Sequence, residues 1–252
     1  MTQPVLMMVT YNRLDLTKRT MSSLLANTPD AFRLVVVDNG SKDGTRQYWR
    51  AFEEGLPEDG QNGLREFRLL ENEENKGIAR GRNQALQAAD EWAPEYYCTI
   101  DNDVEVVDGW LSECVEVLKA NPSFGMMGLN MEGVDYPQAT LGGHTFQEKP
   151  QGNLGTACMV FPAALHKMLG FFTTEYGLYG EEDADYGMRA RVAGFKLGYL
   201  SRPGNHFGVG DLDEGEYRDF KTKCHKANLA QFNANAGAYY RREKPLHVPC
   251  VT

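Results

Sequence analysis

Asp101, Asn102 and Asp103 close the run Tyr96-Tyr97-Cys98-Thr99-Ile100, and Val104 follows them. Two carboxylates two positions apart, after an apolar and β-favouring run, read as the charged tip of a buried strand. Oxygen donors placed like this suit a hard divalent cation and repel a bare phosphate. A cation held there would bridge the protein to a diphosphate; the plainer alternative is a solvated acidic turn. A second acidic cluster, Gly180-Glu181-Glu182-Asp183-Ala184-Asp185, stands before Arg189. Carboxylates so crowded repel unless a cation or a helix N-terminus compensates them. A helix starting there supplies the compensation, and the crowding lifts at least one carboxyl toward the range of a general base. The alternative is a charge-rich first turn on a solvated helix. His206, in Asn205-His206-Phe207, follows a strand-like run. A neutral imidazole there can complete a metal shell begun by the two aspartates, although a lone histidine is more often structural. His144, His166, His225 and His247 have no comparable context.

Two further stretches suit a nucleotide. Asp38 ends the β-branched run Leu34-Val35-Val36-Val37 and begins Asp38-Asn39-Gly40-Ser41. An ionised carboxylate only accepts hydrogen bonds, so it selects a ring N–H such as the imide of uracil. The same four residues are also good Asx-turn chemistry. Asn75 to Asn83 opens an Ala-rich helix. Gly77 lets a ligand come close to the backbone, and the helix start with Arg80 and Arg82 suits phosphate or ribose groups. An ordinary helix start with exposed arginines is the alternative. No Gly-Lys-Ser/Thr follows, and the spacing is not G-x-G-x-x-G, so neither common phosphate-loop fingerprint is present.

These residues share a place, the ends of strands. Apolar runs at 5–9, 34–37, 67–70, 96–100, 124–129, 157–161 and 195–200 predict strands. Helical spacing and stop signals predict helices over 15–25, 45–52, 78–89, 110–120, 163–169, 183–193 and from Asp213 to about Asn233. Residues 130–153, rich in Gly, Pro and polar side chains, read as an irregular insertion, and the C-terminal end as a loose tail with Pro245 and Pro249. Strands alternating with helices predict an α/β fold with a mostly parallel central sheet flanked by helices and right-handed crossovers. Thr10-Tyr11-Asn12-Arg13, Asp38 and Asp101 then end the first, second and fourth strands, share one sheet edge and face one crevice.

Composition narrows the classes. The 252 residues, 42% hydrophobic, suffice for one large α/β domain or two small ones. A net charge of -9 argues against duplex nucleic acid as a routine partner. With no charged-then-apolar leader and no run of 18 apolar residues, neither a signal peptide nor a transmembrane segment is expected. Cys98, Cys114, Cys158, Cys224 and Cys250 are scattered and form no C-x-x-C pair. They offer no zinc cluster, and a reducing, cytoplasmic setting is expected.

Together these stretches resemble family 2 glycosyltransferases of the GT-A fold. The matching segments are VTYNR (9–13), VVVDNGSKDGT (35–45), ENKGIARGRNQAL (74–86), TIDNDVEV (99–106), GFFTTEYGLYGEEDADYGMRARVAGFK (170–196) and NHF (205–207). The resemblance implies that Thr10, Asn12 and Arg13 line the nucleotide pocket, that Asp38 contacts the base, and that Gly77 and Arg82 flank the nucleotide. It implies that Asp101, with Asn102 beside it, lies toward ribose and metal. Asp103 would bind the metal directly, with His206 a further ligand. Asp183, within Glu182-Asp183, would be the base that deprotonates the acceptor hydroxyl, with inversion. The implied cofactor is Mn2+ or Mg2+. The implied donor is a nucleoside-diphosphate sugar; a UDP-sugar is favoured because Asp38 fits uracil, but thymine and guanine also offer a ring N–H. The acceptor would be a hydroxyl on a glycan, a lipid carrier or another molecule.

The resemblance further implies a GT-A domain over 1–210, with a nucleotide-binding half at 1–108 and an acceptor half at 109–210; residues 211–252 match none of its segments and read as a helical extension. That extension and residues 130–153 are expected to shape the acceptor pocket, with Tyr136, His144, Phe146, Tyr217 and Phe220 suited to sugar stacking. A sugar nucleotidyltransferase is the rival enzyme, but it carries a Gly-rich N-terminal loop where this chain has TYNRLD. A non-catalytic nucleotide- or carbohydrate-binding module is the other rival, and both acidic clusters are intact.

Overall fold

In a computed structural model, residues 3–131, 133–155, 157–207 and 216–250 are described. The first half runs β1 (Val5–Thr10), α1 (Leu14–Asn27), β2 (Phe32–Asp38), α2 (Thr45–Gly55), β3 (Leu64–Glu71), α3 (Ile78–Asp90), β4 (Tyr96–Ile100) and β5 (Val104–Glu105). Then come α4 (Trp110–Ala120), β6 (Phe124–Asn130), β7 (Gln138–Leu141), β8 (His144–Lys149), β9 (Cys158–Pro162), α5 (Ala163–Leu169), α6 (Glu182–Val192), β10 (Lys196–Pro203), β11 (Asn205–His206) and α7 (Glu216–Tyr240). Nine strands form one sheet in the order β3-β2-β1-β4-β9-β6-β10-β8-β7. β3, β2, β1 and β4 are parallel, as are β6 and β10. Alternate side chains feed two cores. Leu6, Met8, Leu34 and Val36 pack with Trp49 and Trp110 on one face. Val5, Met7, Val35 and Val37 pack with Ala85, Leu165 and Tyr186 on the other.

The second half of the chain departs from the expected pattern in two ways. β9 runs antiparallel to both β4 and β6, so the mostly parallel sheet is mixed here. A strand buried on both faces reads as a continuous apolar run in either direction, so Cys158–Phe161 carries no signal of its sense. Residues 130–153 are also not an irregular insertion: β7 and β8 form a hairpin on β10. Its turn is Gly142-Gly143, with φ of 60° and 84°, the positive angles that a two-residue hairpin turn requires. Phe146 is consequently fully buried, edge-on to Phe124, and cannot stack on a sugar. Tyr136 packs on Tyr199, and His144 starts β8 at the turn.

The C-terminal end is fastened down rather than loose. The N–H of Phe171 donates to the carbonyl of Val248 (2.9 Å), and the N–H of Val248 donates to that of Leu169 (2.8 Å). Arg189 is the anchor. It is fully buried, pairs with Asp185 at 2.7 Å, and donates to the carbonyls of Leu169, Phe171 and Leu246. The hydroxyls of Tyr176 and Tyr239 also donate to Asp185. Arg189→Met leaves the Asp185 carboxylate buried without its countercharge, and removing one partner of such a pair costs about 3–5 kcal/mol. A urea denaturation midpoint should fall accordingly at unchanged slope; an unshifted midpoint would contradict this role. α7 extends to Tyr240, past the expected end at Asn233. Its expected start at Asp213 lies outside the described residues, as does the side chain of Tyr217. Among the described residues, no helix is long and apolar enough to cross a membrane.

Candidate active site

The strand tips meet as the topology requires. After β1 the chain turns through Asn12 and Arg13, both left-handed, with φ of 58° and 65°. Side chains other than glycine adopt that region at a cost and persist there when their surroundings hold them. Here the N–H of Asn12 donates to Ser41 Oγ (2.8 Å), and its Oδ1 accepts from the N–H of Lys42 (2.8 Å). Asn12 therefore staples the β1 tip to the β2 tip. Arg13 is aimed at Asp103, Nη1 to Oδ2 at 2.7 Å.

The D-x-D loop is held from behind. Asn102 Nδ2 donates to Thr17 Oγ1 (2.9 Å), and the N–H of Val104 donates to Thr20 Oγ1 (3.0 Å). The N–H of Asp101 donates to the carbonyl of Ala157 (2.9 Å). β11 pairs antiparallel with β5, setting His206 opposite Val104. His206 Nε2 then lies 3.3 Å from Asp103 Oδ1. One ligating atom each from Asp101, Asp103 and His206 lies within 4.8 Å of the others. Burial, and then the charge of Asp101, push the Asp103 carboxyl up, against His206, Arg13 and Lys221. The donor set of two carboxylates and an imidazole fits a divalent metal. The Nδ1 of His206 is buried without a partner among the described residues.

The opposite wall is the start of α6. Gly180 and Glu181 enter it with φ of 95° and 66°. The acidic cluster is split by its surroundings. Asp185 belongs to the Arg189 network, and Glu181 pairs with His225 of α7. Glu182 is buried against Arg82, while Asp183 is half-buried and lines the cleft. Burial pushes the Glu182 carboxyl up to about 7, against the pull of Arg82. Asp183 Oδ1 accepts from the N–H of Ala184 (2.6 Å), where the helix terminus favours negative charge.

Arg82 joins the two walls. It donates to Glu182 and, at 3.0 Å, to Asp101 Oδ1. It is 5% exposed and lines the cleft with its guanidinium paired to these two carboxylates. Gly77 is corrected. A Cβ on it would lie 2.9 Å from Leu178 Cα, and the N–H of Ile78 donates to the carbonyl of Leu178. What comes close to Gly77 is the protein's own backbone. Thr10 is fully buried, its hydroxyl accepting from Trp49 Nε1 (3.2 Å), and it does not line the cleft. Asp38 is fully buried and forms the expected turn. Its Oδ2 accepts from the N–H of Ser41 (3.1 Å) and from Arg46 Nε (3.0 Å), while Oδ1 is buried with no donor among the described residues. Arg80 is exposed and does not line the cleft.

Arg13, Arg82, Asp101, Asn102, Asp103, Glu182, Asp183 and His206 thus line one cleft of about 310 Å³. Tyr11 and Asn39 line it as members of the expected strand-tip clusters, whereas sequence reasoning missed Tyr179 and Lys221. Asn39 is a brace, donating to Asn75 Oδ1 and to the carbonyl of Gly77. Its place beside Asp38 at a strand tip was the available signal. Lys221 arrives from α7, and no local pattern marks it.

Residues 5–169 match the family model described as Glycosyl transferase family 2. The chain belongs to this family and is a glycosyltransferase. A comparison with curated proteins gives no match. Among solved structures, the glycosyltransferase is similar to S. aureus TarS 1–349 in complex with UDP, with a TM-score of 0.57 and 21% identity over 79% of this chain and 58% of that one. It is also similar to the mannosyltransferase PcManGT from Pyrobaculum calidifontis in complex with GDP-Man and Mn2+, with a TM-score of 0.60 and 20% identity over 94% of this chain and 73% of that one. A third similar structure is TarS 1–349 in complex with UDP-GlcNAc, with a TM-score of 0.57 and 18% identity over 95% of this chain and 74% of that one. The glycosyltransferase spans 44% of the longer TarS chain. These likenesses show the fold, GT-A.

Proposed function

We propose that this glycosyltransferase moves a sugar from a nucleoside-diphosphate donor to an acceptor hydroxyl, with inversion and with Mn2+ or Mg2+. One observation carries the reading: Asp101, Asp103 and His206, close enough to share one cation, line the same cleft as Asp183. Asp101, Asp103 and His206 would hold the cation, which when bound supplies positive charge against the diphosphate leaving group. Arg13 adds a fixed positive charge beside Asp103. Asp183 accepts the proton of the acceptor hydroxyl. The hydroxyl oxygen bonds to the anomeric carbon as the bond to the diphosphate oxygen breaks, and attack from the face opposite the leaving group inverts that carbon. Glu182 acts through Arg82, which spaces α6 from Asp101.

In this reading residues 1–108 form the nucleotide-binding half and 109–210 the acceptor half, with 211–252 as a helical extension. A UDP-sugar is favoured because Asp38 Oδ1 has no donor among the described residues and suits an imide N–H. The test is a thermal-shift screen of UDP-, GDP-, dTDP- and CDP-sugars with Mn2+. A ligand at one hundred times its Kd adds about 2.7 kcal/mol, or roughly 5–10 °C for a chain of this size. The uridine ligands should give the largest shift, and no shift with any nucleotide sugar would sink the donor reading.

A further inference from the structure

α7 enters the cleft through Phe220 and Lys221. Lys221 sits on the same stripe of the helix as His225, Asn228, Asn235 and Tyr239, at spacings of four, seven, fourteen and eighteen residues. Such positions share one helix face. This face is fixed to the loop that leads into Glu182 and Asp183. Asn228 Nδ2 donates to the carbonyls of Tyr176 (2.8 Å) and Tyr179 (3.0 Å). Asn235 Nδ2 donates to Glu175 and to the hydroxyl of Tyr176, both at 2.9 Å. His225 pairs with Glu181. Lys221 is therefore held at the cleft by several contacts along its helix.

Its surroundings are charged in an instructive way. Lys221 is half-buried and within electrostatic reach of Asp101, Asp103 and Arg13. Burial, and then the positive charge of Arg13, push its ammonium down, against the two aspartates. Arg82 is already committed to Asp101 and Glu182. Once Asp101 and Asp103 serve a cation, less negative charge is left to compensate Arg13 and Lys221. Two neighbouring cations at the mouth of a metal site fit an anion lying between them.

We propose that Lys221 binds the diphosphate of the donor from the α7 side, across from Arg13, which makes the C-terminal helix part of the donor site. This rests on the reading of the cleft as a nucleoside-diphosphate-sugar pocket. The probes are UDP and uridine, with GDP and guanosine in parallel, titrated with Mn2+ into the wild-type chain, Lys221→Met and Lys221→Arg. A hydrogen bond to a charged group sets the expected scale, a loss of about 10- to 100-fold in diphosphate affinity for Lys221→Met. Nucleoside affinity should hold, the melting temperature should stay at the wild-type value, and Lys221→Arg should recover most of the loss. Equal diphosphate affinity in wild type and Lys221→Met would overturn the proposal, as would an equal fall for nucleoside and diphosphate. A wild-type chain that binds neither UDP nor GDP would instead sink the donor reading on which it rests.

Discussion

Asp183→Asn is expected to cut glycosyl transfer by about 10²–10⁴-fold, the usual contribution of a positioned base, while nucleotide and cation affinity stay at the wild-type level. The change keeps the shape and the oxygen that accepts from the N–H of Ala184, so α6 should start as before. What it removes is the capacity to take a proton. The residues that would hold donor and cation stand on the other wall, at the tip of β4 and on β11. Two readouts separate the possibilities: nucleoside diphosphate released in the presence of acceptor, and calorimetric affinity for the donor. Near-full turnover would mean that the base lies elsewhere. Glu182 is a poor substitute, because its carboxylate is buried against Arg82.

Asp103→Ala is expected to abolish the part of nucleotide affinity that depends on the cation. Outer-shell changes alone typically cost 10–100-fold in metal affinity, so loss of a direct ligand should cost at least about 100-fold. Asp103 is the most enclosed of the three candidate ligands, 5% exposed and flanked by Arg13 and His206. Burial pushes its carboxyl up, against His206 and Arg13. UDP titrated with and without Mn2+ reads the effect. An enhancement by Mn2+ as large as that of the wild type would count against the ligand role.

The sequence exposes the strand tips more clearly than what meets them. The apolar run into Asp101 marks β4, and the alternation of strands and helices is enough to place Asp38, Arg13 and Asp103 at one sheet edge. His206 is marked only by its type, because the pairing of β11 with β5 that brings it to Asp103 joins residues about one hundred positions apart. Arg82 shows the same limit: its place on α3 is legible, but its partner Glu182 is one hundred residues away. The freedom of Gly77 is legible, yet nothing local tells that a loop rather than a ligand uses it. The sense of β9 leaves no trace in a run buried on both faces. The β7–β8 hairpin was hidden by its polar composition, although Gly142-Gly143 is good turn chemistry. α7 packs in part through Asn228, Asn235 and His225, so its docked face is not an apolar stripe.

The most direct measurement is a crystal of the chain grown with UDP and Mn2+, with diffraction recorded at the manganese edge. An anomalous peak in contact with the Asp103 carboxylate, His206 Nε2 and a diphosphate oxygen is the predicted result. A diphosphate bound with no peak near Asp103, or a peak held by other residues, would contradict the account.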